Sequence, residues 1–276
     1  MSRISIVGCG WLGLPLAEKL ISEGHEVKGS TTRAERIAEL LAAGVDAFQL
    51  KAKDGMWQGD RLSDFLQCNV LIIAIPPGTK RNPDGTHAED VQALLQIISD
   101  LKISIGKIIY ISSTSIYKNS NHIVSESDIS EEADAGNKVL FKAEKYVQSC
   151  GIKEKLILRL GGLTGYERML ARFFAGKAEL AGGNEPVNLI HRDDVISVVL
   201  FLLKKEIGNV VLNVCSPLHP TRKELYTQLC KQFNLEKPDF SEEKHTDWKK
   251  ISTDKLSELG YSWIFPDPYD YTYTYQ

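Results

Sequence analysis

The sequence predicts an α/β fold, a Rossmann-like doubly wound parallel sheet with a smaller C-terminal substrate-side lobe, on three observations. Short apolar runs alternate with amphipathic stretches over the first 160 residues, as βαβ units around a parallel sheet require. A glycine string, Gly8-Cys9-Gly10-Trp11-Leu12-Gly13, stands between the first apolar run and the first amphipathic stretch. After Leu160 the alternation loosens, and Pro217, Pro220, Pro238, Pro266 and Pro268 punctuate the remainder. The predicted division is a core over residues 1–162 and a lobe over 163–276, with about 187–215 returning to the core sheet.

In chain order, strands are expected at Arg3–Val7 and at residues 26–30, 70–75, 107–112 and 156–160, with a short further one over 44–48. The first helix follows from Leu12, Leu16 and Leu20 at i, i+4 and i+8, with Pro15 tolerated because it falls in the first turn. Further helices are expected at 34–43, 89–101 and 138–149, each covering one sheet face. Pro76-Pro77-Gly78 and residues 80–86 read as a long loop. Beyond it come a helix near 168–174, a turn at Gly182-Gly183-Asn184, a helix over 193–204 and a strand at Val210–Val214. The tail Tyr269-Asp270-Tyr271-Thr272-Tyr273-Thr274-Tyr275 alternates with period two, which suits an edge strand, a partner-contacting arm or a disordered end.

Composition narrows the function classes. With 43% hydrophobic and 25% charged residues the chain can bury a sizeable core. Thirty-three basic against 36 acidic residues give a net charge of −3, no footprint for nucleic acid or an anionic membrane. The longest apolar runs, 70–75 and 195–203, fall short of the roughly 20 residues of a membrane span. Met1-Ser2-Arg3 leads straight into a strand without a signal-peptide pattern, so a cytoplasmic location is expected. Five widely spaced cysteines without CxxC, and six histidines without HExxH, argue against a disulfide framework or a bound metal.

The glycine string fits GxGxxG. It serves a tight turn, close backbone approach to a pyrophosphate and close packing of helix on strand, with the helix N-terminus presenting N–H groups to the anion. Its place after a strand, before a helix and ahead of a second strand is the Rossmann context. A methyltransferase turn is the competing reading. An acid at the end of the second strand would hold an adenosine ribose, but the chain has Ser30-Thr31-Thr32-Arg33 there. Hydroxyls and an arginine suit the 2′-phosphate of NADP better than the 2′-hydroxyl of NAD, so Thr31, Thr32 and Arg33 predict NADP over NAD. The bland alternative is that Arg33 merely begins the next helix.

Four later segments carry a family resemblance. Residues 109–117, Ile-Tyr-Ile-Ser-Ser-Thr-Ser-Ile-Tyr, resemble the SSxxVYG segment of the extended short-chain dehydrogenases/reductases, the NAD(P)-dependent epimerase/dehydratase superfamily. Residues 158–165 resemble its LRPxNVYG turn, 188–195 its FIHVDDV segment and Leu212-Asn213-Val214 its YNV strand. The resemblance implies a Rossmann core with a C-terminal substrate lobe, often as a homodimer. It implies a cofactor site made by Gly8, Gly10, Trp11, Leu12, Gly13, Thr31, Thr32, Arg33, Ala74, Ile75, Pro76, Ser112, Gly162 and Leu163. It also implies catalytic candidates Ser113, at the family's Ser/Thr position, and Tyr117.

The departures bear on chemistry. Val7 occupies the place of the first glycine of GxxGxxG, as in atypical branches. The catalytic YxxxK is missing: aligning Ala143-Glu144 with the end of YxxxKxxAE puts Gly136 at the tyrosine and Leu140 at the lysine. Lys138 and Lys142 each lie two residues out of register, about 200° around a helix. Removing a general acid/base typically forfeits about 10² to 10⁴ in rate. His191 reads either as a base beside a carboxylate or as structural, with Asp193 or Asp194 capping the next helix. Arg168, Arg172 and Arg192 suit an anionic ligand or are solvated charge. The expected function is an NADP(H)-binding, epimerase/dehydratase-like or reductase-like protein acting on a sugar nucleotide or small carbonyl compound. Two alternatives stay open: a non-catalytic NADP-binding sensor, and a dehydrogenase of the 3-hydroxyacid kind, whose opening resembles residues 10–17 and 24–27.

Overall fold

A computed structural model describes residues 1–59, 61–77, 85–242, 244 and 246–274. Its centre is a seven-stranded sheet of β1 (Arg3–Val7), β2 (Glu26–Thr31), β3 (Asp46–Gln49), β4 (Val70–Ile73), β5 (Lys107–Ser113), β6 (Glu154–Leu160) and β7 (Val210–Val214). The strand order is β3-β2-β1-β4-β5-β6-β7. The pairs from β3 through β5 are parallel, with Ile4 opposite both Val27 and Val70, and Ile72 opposite Ile109. Central strands flanked on both sides must be apolar on both faces, and β4, Val-Leu-Ile-Ile, is buried at every residue.

The principal helices are α1 (Gly13–Ser22), α2 (Ile37–Ala42), α3 (His87–Asp100), α4 (Lys138–Ser149), α5 (Arg192–Leu203) and α6 (Arg222–Gln232). α1 buries Leu16 and Leu20 of the predicted stripe together with Gly13 and Ala17, the third leucine, Leu12, is buried just ahead of the helix, and Pro15 is the third helical residue. Residues 34–36, predicted as helix, form a 3-10 turn ahead of α2. The helix expected near 168–174 shrinks to Ala171–Phe174. α6 was not anticipated, although Thr221 and Glu224 form a reciprocal capping box at its start, a signal readable in Thr-Arg-Lys-Glu. The expected loop through residues 78–84 lies outside the described residues, as does Tyr275.

The chain divides into two compact units, each discontinuous in sequence. Unit 1 comprises Met1–Ile116, Asn137–Leu158 and Val199–Val211; unit 2 comprises Tyr117–Gly136, Arg159–Val198 and Leu212–Gln276. In unit 1, α3 and α4 pack on each other over a core that includes Leu71, Ile73, Ile108 and Tyr110. Unit 2 holds two short parallel pairs, Gly162–Thr164 with Leu189–His191 and His122–Val124 with Lys249–Ile251. Its core gathers Met169, Leu189, Leu225, Tyr226 and Tyr271. The C-terminal tail is therefore neither an edge strand nor a free arm over its described residues: Tyr271 is 4% exposed, and its hydroxyl lies 2.6 Å from Ser216 Oγ. Burying an aromatic ring outweighs the period-two pattern that alternation suggests. Among the described residues no helix is long and apolar enough to cross a membrane.

Candidate functional site

The strand order reverses beside β1 and β4, and in open α/β sheets ligands bind outside the carboxyl ends of strands at such a switch point. Both ends carry predicted residues. Gly8 turns the chain at φ +97°, a conformation that favours glycine. Its N–H donates to Ser30 Oγ at 3.0 Å, and the Cys9 N–H donates to the Ser30 carbonyl at 2.7 Å, so β2 fixes the turn. A Cβ on Gly8 would meet Ile75 Cγ2 at 3.0 Å and Ala74 O at 3.1 Å, and one on Gly13 would run into the Gly8 carbonyl. A Cβ on Gly10 would meet nothing within 4 Å. The outer glycines therefore allow packing, and the middle one leaves backbone open to a ligand. Behind the turn, Leu12 precedes α1 in helical conformation without a side-chain cap, and the first turn of α1 has no acid, so its positive dipole end is not matched by a side chain of that turn. Ala74 is tied to the turn by its N–H on the Val7 carbonyl at 2.9 Å, with Ile75 and Pro76 following. These residues fit the pyrophosphate of a dinucleotide.

At the end of β2, Thr31 is buried and its Oγ1 accepts the Arg33 N–H at 3.3 Å, while Thr32 and Arg33 are exposed. The Arg33 guanidinium lies 4.0 Å from Glu35. A different arginine reaches the glycine turn. Arg36 Nη1 donates to the Cys9 carbonyl at 2.9 Å, and its Nε and Nη2 donate to the Glu39 carboxylate at 2.8 and 3.1 Å. The Arg36–Glu39 spacing of three residues was the available signal, since such pairs share a helix face.

At the end of β5, Ser112 Oγ donates to Glu144 Oε1 at 2.6 Å, both groups being buried. Ser113 is half-buried, and its Oγ accepts the Ser115 N–H at 3.1 Å. Tyr117 is 2% exposed; its hydroxyl accepts from Arg159 Nη1 and donates to Asn213 Oδ1, each at 2.7 Å. Burial pushes this phenol up to about 12 despite the neighbouring guanidinium. Its geometry is that of a buried link between Arg159 and Asn213, not of a poised acid. Gly136 and Leu140 do not share a helix face. Asn137 caps α4 by accepting the Leu140 N–H, so Gly136 lies before the helix, and Leu140 is fully buried. A Cβ on Gly136 would meet the Tyr117 carbonyl oxygen at 2.9 Å and the Lys118 nitrogen at 3.0 Å. Lys138 and Lys142 are exposed.

Within unit 2, the Gly162 N–H donates to the Asn188 carbonyl at 2.7 Å, and Leu163 follows in the short strand. His191 is fully buried between Phe265, at 4.2 Å between ring centres, and Tyr166, at 5.3 Å, and burial lowers its pKa. Its Nδ1 accepts the Asp193 N–H at 3.2 Å, with the Asp193 carboxylate at 3.8 Å, and its Nε2 lies 3.4 Å from the Thr272 carbonyl, so both ring nitrogens are engaged. Asp193 accepts the Tyr166 hydroxyl at 2.6 Å, and Asp194 accepts the Ile264 and Phe265 N–H groups and the Tyr261 hydroxyl. Asp194 thus anchors the C-terminal segment, a long-range role that the helix-cap reading did not foresee. The Arg192 guanidinium covers the Tyr166 ring at 4.2 Å, and burial lowers the pKa of Arg168; Arg172 is exposed. Among the described residues no group of three or more His, Cys, Asp or Glu is placed to hold a metal ion.

No protein-family profile matches the chain. Protein YeeZ of Escherichia coli K12 is 33% identical over 271 residues, which cover 97% of this chain and 98% of YeeZ. Two solved structures share the fold at low identity. The UDP-glucuronic acid 4-epimerase of Bacillus cereus in complex with NAD superposes with a TM-score of 0.75 at 20% identity, covering 98% of this chain and 97% of that one. MoeE5 in complex with UDP-glucose and NAD does so with a TM-score of 0.74 at 16% identity, covering 95% and 94%. The chain thus shares with these NAD-bound structures a Rossmann-like α/β fold on a central parallel sheet.

Proposed function

Because the chain belongs to the family of Escherichia coli YeeZ and carries the fold of NAD-dependent sugar-nucleotide epimerases, we propose that it binds NADP(H) and acts on a sugar nucleotide or small carbonyl compound as an epimerase, dehydratase or reductase. The observation that carries this reading is the glycine turn, where Gly8 and Gly13 are closed by packing and Gly10 alone faces open space. When bound, the dinucleotide supplies hydride chemistry. The backbone of residues 8–13 and the N-terminus of α1 receive its pyrophosphate, and Ala74, Ile75 and Pro76 border it. Ser113 is the hydroxyl offered to a reacting oxygen.

The NADP preference rests on the absence of an acid at the end of β2 and on two arginines, Arg33 beside the threonines and Arg36 on the turn itself. Fluorescence titration of NADPH and NADH tests it. Arg33→Ala or Arg36→Ala should weaken NADPH by about 1.5–3 kcal/mol, the range for a charge-assisted hydrogen bond, and leave NADH nearly unchanged. Equal weakening of both cofactors would show that these arginines support the fold and do not read the phosphate.

A second reading, a binding or sensing protein without turnover, is favoured by one observation: backbone closes the space beside Gly136, where the family has its tyrosine. Turnover of UDP-glucose, UDP-glucuronic acid or small aldehydes separates the two. The 3-hydroxyacid alternative fares worse, because it calls for a mostly helical second domain and unit 2 contains paired strands.

A further inference from the structure

Unit 2 holds a polar cavity of about 480 Å³ lined by Asn121, Asn184, Glu185, Thr246, Asp247 and Trp248. That volume lies within the roughly 300–1,000 Å³ of small-molecule pockets. Both walls are built. On one, the turn from Gly182 to Glu185 is pinned by the Arg222 N–H on the Glu185 carbonyl at 3.0 Å and by the Gly182 N–H on the Lys244 carbonyl at 2.8 Å. On the other, the Asn121 amide donates to Asp247 Oδ1 at 2.9 Å and its Oδ1 accepts the Trp248 N–H at 2.9 Å, while the Asn121 backbone N–H donates to the Trp248 carbonyl at 2.8 Å.

Glu185 joins the two walls and is only half satisfied. It is 7% exposed. Its Oε1 accepts the Thr246 N–H at 2.8 Å, whereas Oε2 is buried with no hydrogen-bond partner among the described residues. Gly182, at φ +71°, keeps room at that oxygen, because a Cβ there would run into Glu185 Oε2 and Thr246 Oγ1. A buried carboxylate oxygen without a donor is costly, and a charged donor offsets that cost best.

The lining decides the sign of that charge. It carries two carboxylates, Glu185 and Asp247, and no basic side chain among the described residues. The lysines that flank the walls in sequence are engaged elsewhere: Lys244 on Glu179 at 2.7 Å, Lys249 on the Tyr117 carbonyl at 2.7 Å, and Lys223 at 4.0 Å from Glu242. A phosphate or carboxylate would be repelled here. Trp248, half-buried in the lining, carries the ring that attracts cations most strongly. A metal ion fits poorly, since among the described residues no group of three His, Cys, Asp or Glu is placed to hold one.

We propose that this cavity binds a small organic ammonium ion, with Glu185 and Asp247 as its counter-charges. The site lies within unit 2 and needs no dinucleotide.

Titration calorimetry on the full chain tests it with two matched pairs, 1,4-diaminobutane against 1,4-butanediol and glucosamine against glucose. Within each pair an ammonium replaces a hydroxyl on one skeleton. At matched ionic strength at least one amine should bind about 10-fold or more tighter than its hydroxyl partner, and Glu185→Gln should weaken that amine by about 10-fold or more. The glutamine keeps an acceptor for the Thr246 N–H and presents an N–H group where Oε2 stands. Asp247→Asn, at an exposed position, keeps the acceptor for Asn121 and should weaken the amine by about 2- to 5-fold. Calorimetric melting shows that each variant is folded. Binding of neither amine, equal binding of amine and hydroxyl partners, or wild-type amine affinity in either folded variant would overturn the proposal.

Discussion

Gly10 and Gly13 stand three residues apart in one turn, and the structure expects their substitution to fail in opposite ways. A Cβ on Gly13 runs into the Gly8 carbonyl and comes within 3.5 Å of Ile6 Cγ2, so Gly13→Ala must push α1 off β1. Overpacking of this kind costs about 1–3 kcal/mol. For a chain of this size that lowers the melting temperature by roughly 2–5 °C. Gly10→Glu meets no protein atom at its Cβ, so it should melt within about 0.5 kcal/mol of the wild type. Its carboxylate would instead oppose a pyrophosphate. Like charges ~4 Å apart at an effective dielectric of about 20 repel by about 4 kcal/mol, roughly a thousandfold in NADPH affinity. Calorimetric melting and NADPH fluorescence titration on the two variants give the four values. Unchanged melting of Gly13→Ala would refute the packing argument, and wild-type NADPH affinity in Gly10→Glu would refute the assignment of the turn.

Ser113→Ala should lower kcat more than it raises KM on any substrate turned over, because a bond to the reacting oxygen strengthens in the transition state; a pure KM effect would make Ser113 a ground-state contact. Tyr117→Phe removes the buried hydroxyl shared by Arg159 and Asn213 and should destabilise by about 1–3 kcal/mol, measured by urea unfolding, with no change in the pH dependence of any turnover. His87, buried with Nε2 2.7 Å from the Tyr110 hydroxyl, is lowered from 6.5 to about 4 by desolvation. Above pH 6.5 it is neutral folded or unfolded. Below that, only the unfolded chain takes the proton, so stability should fall by up to about 3 kcal/mol between pH 6.5 and 4 and then level off. The His87→Gln variant should lack this slope in urea titrations across that range, and an unaltered slope would show that other groups carry it.

How much of this was legible follows the range of the interactions. β1, α4 and β7 end where the sequence places them, because each is fixed by a local pattern, a strand run or a helix with Asn137 as its cap. The glycine turn was legible for the same reason, since its demands fall within six consecutive residues. Arg36 was missed because its partner at the turn, the Cys9 carbonyl, is 27 residues away, and Arg33 stood nearer the motif. The tail misled because alternation describes a strand and a packed coil equally well, and only the Ser216, Thr164 and Tyr166 contacts decide between them.

Gly136 shows the limit most sharply. Sequence alignment reveals that a tyrosine is gone, and it invites restoring one together with a lysine at Leu140. The backbone answers otherwise: Gly136 lies outside α4, the Tyr117 carbonyl and the Lys118 nitrogen fill the space its side chain would need, and Leu140 is a core residue. A deletion of function at one position would leave room where the old side chain stood. Here that room is closed by backbone, and the carbonyl that closes it accepts the ammonium of Lys249, 132 residues further along the chain, so a tyrosine at Gly136 could be seated only if this backbone moved.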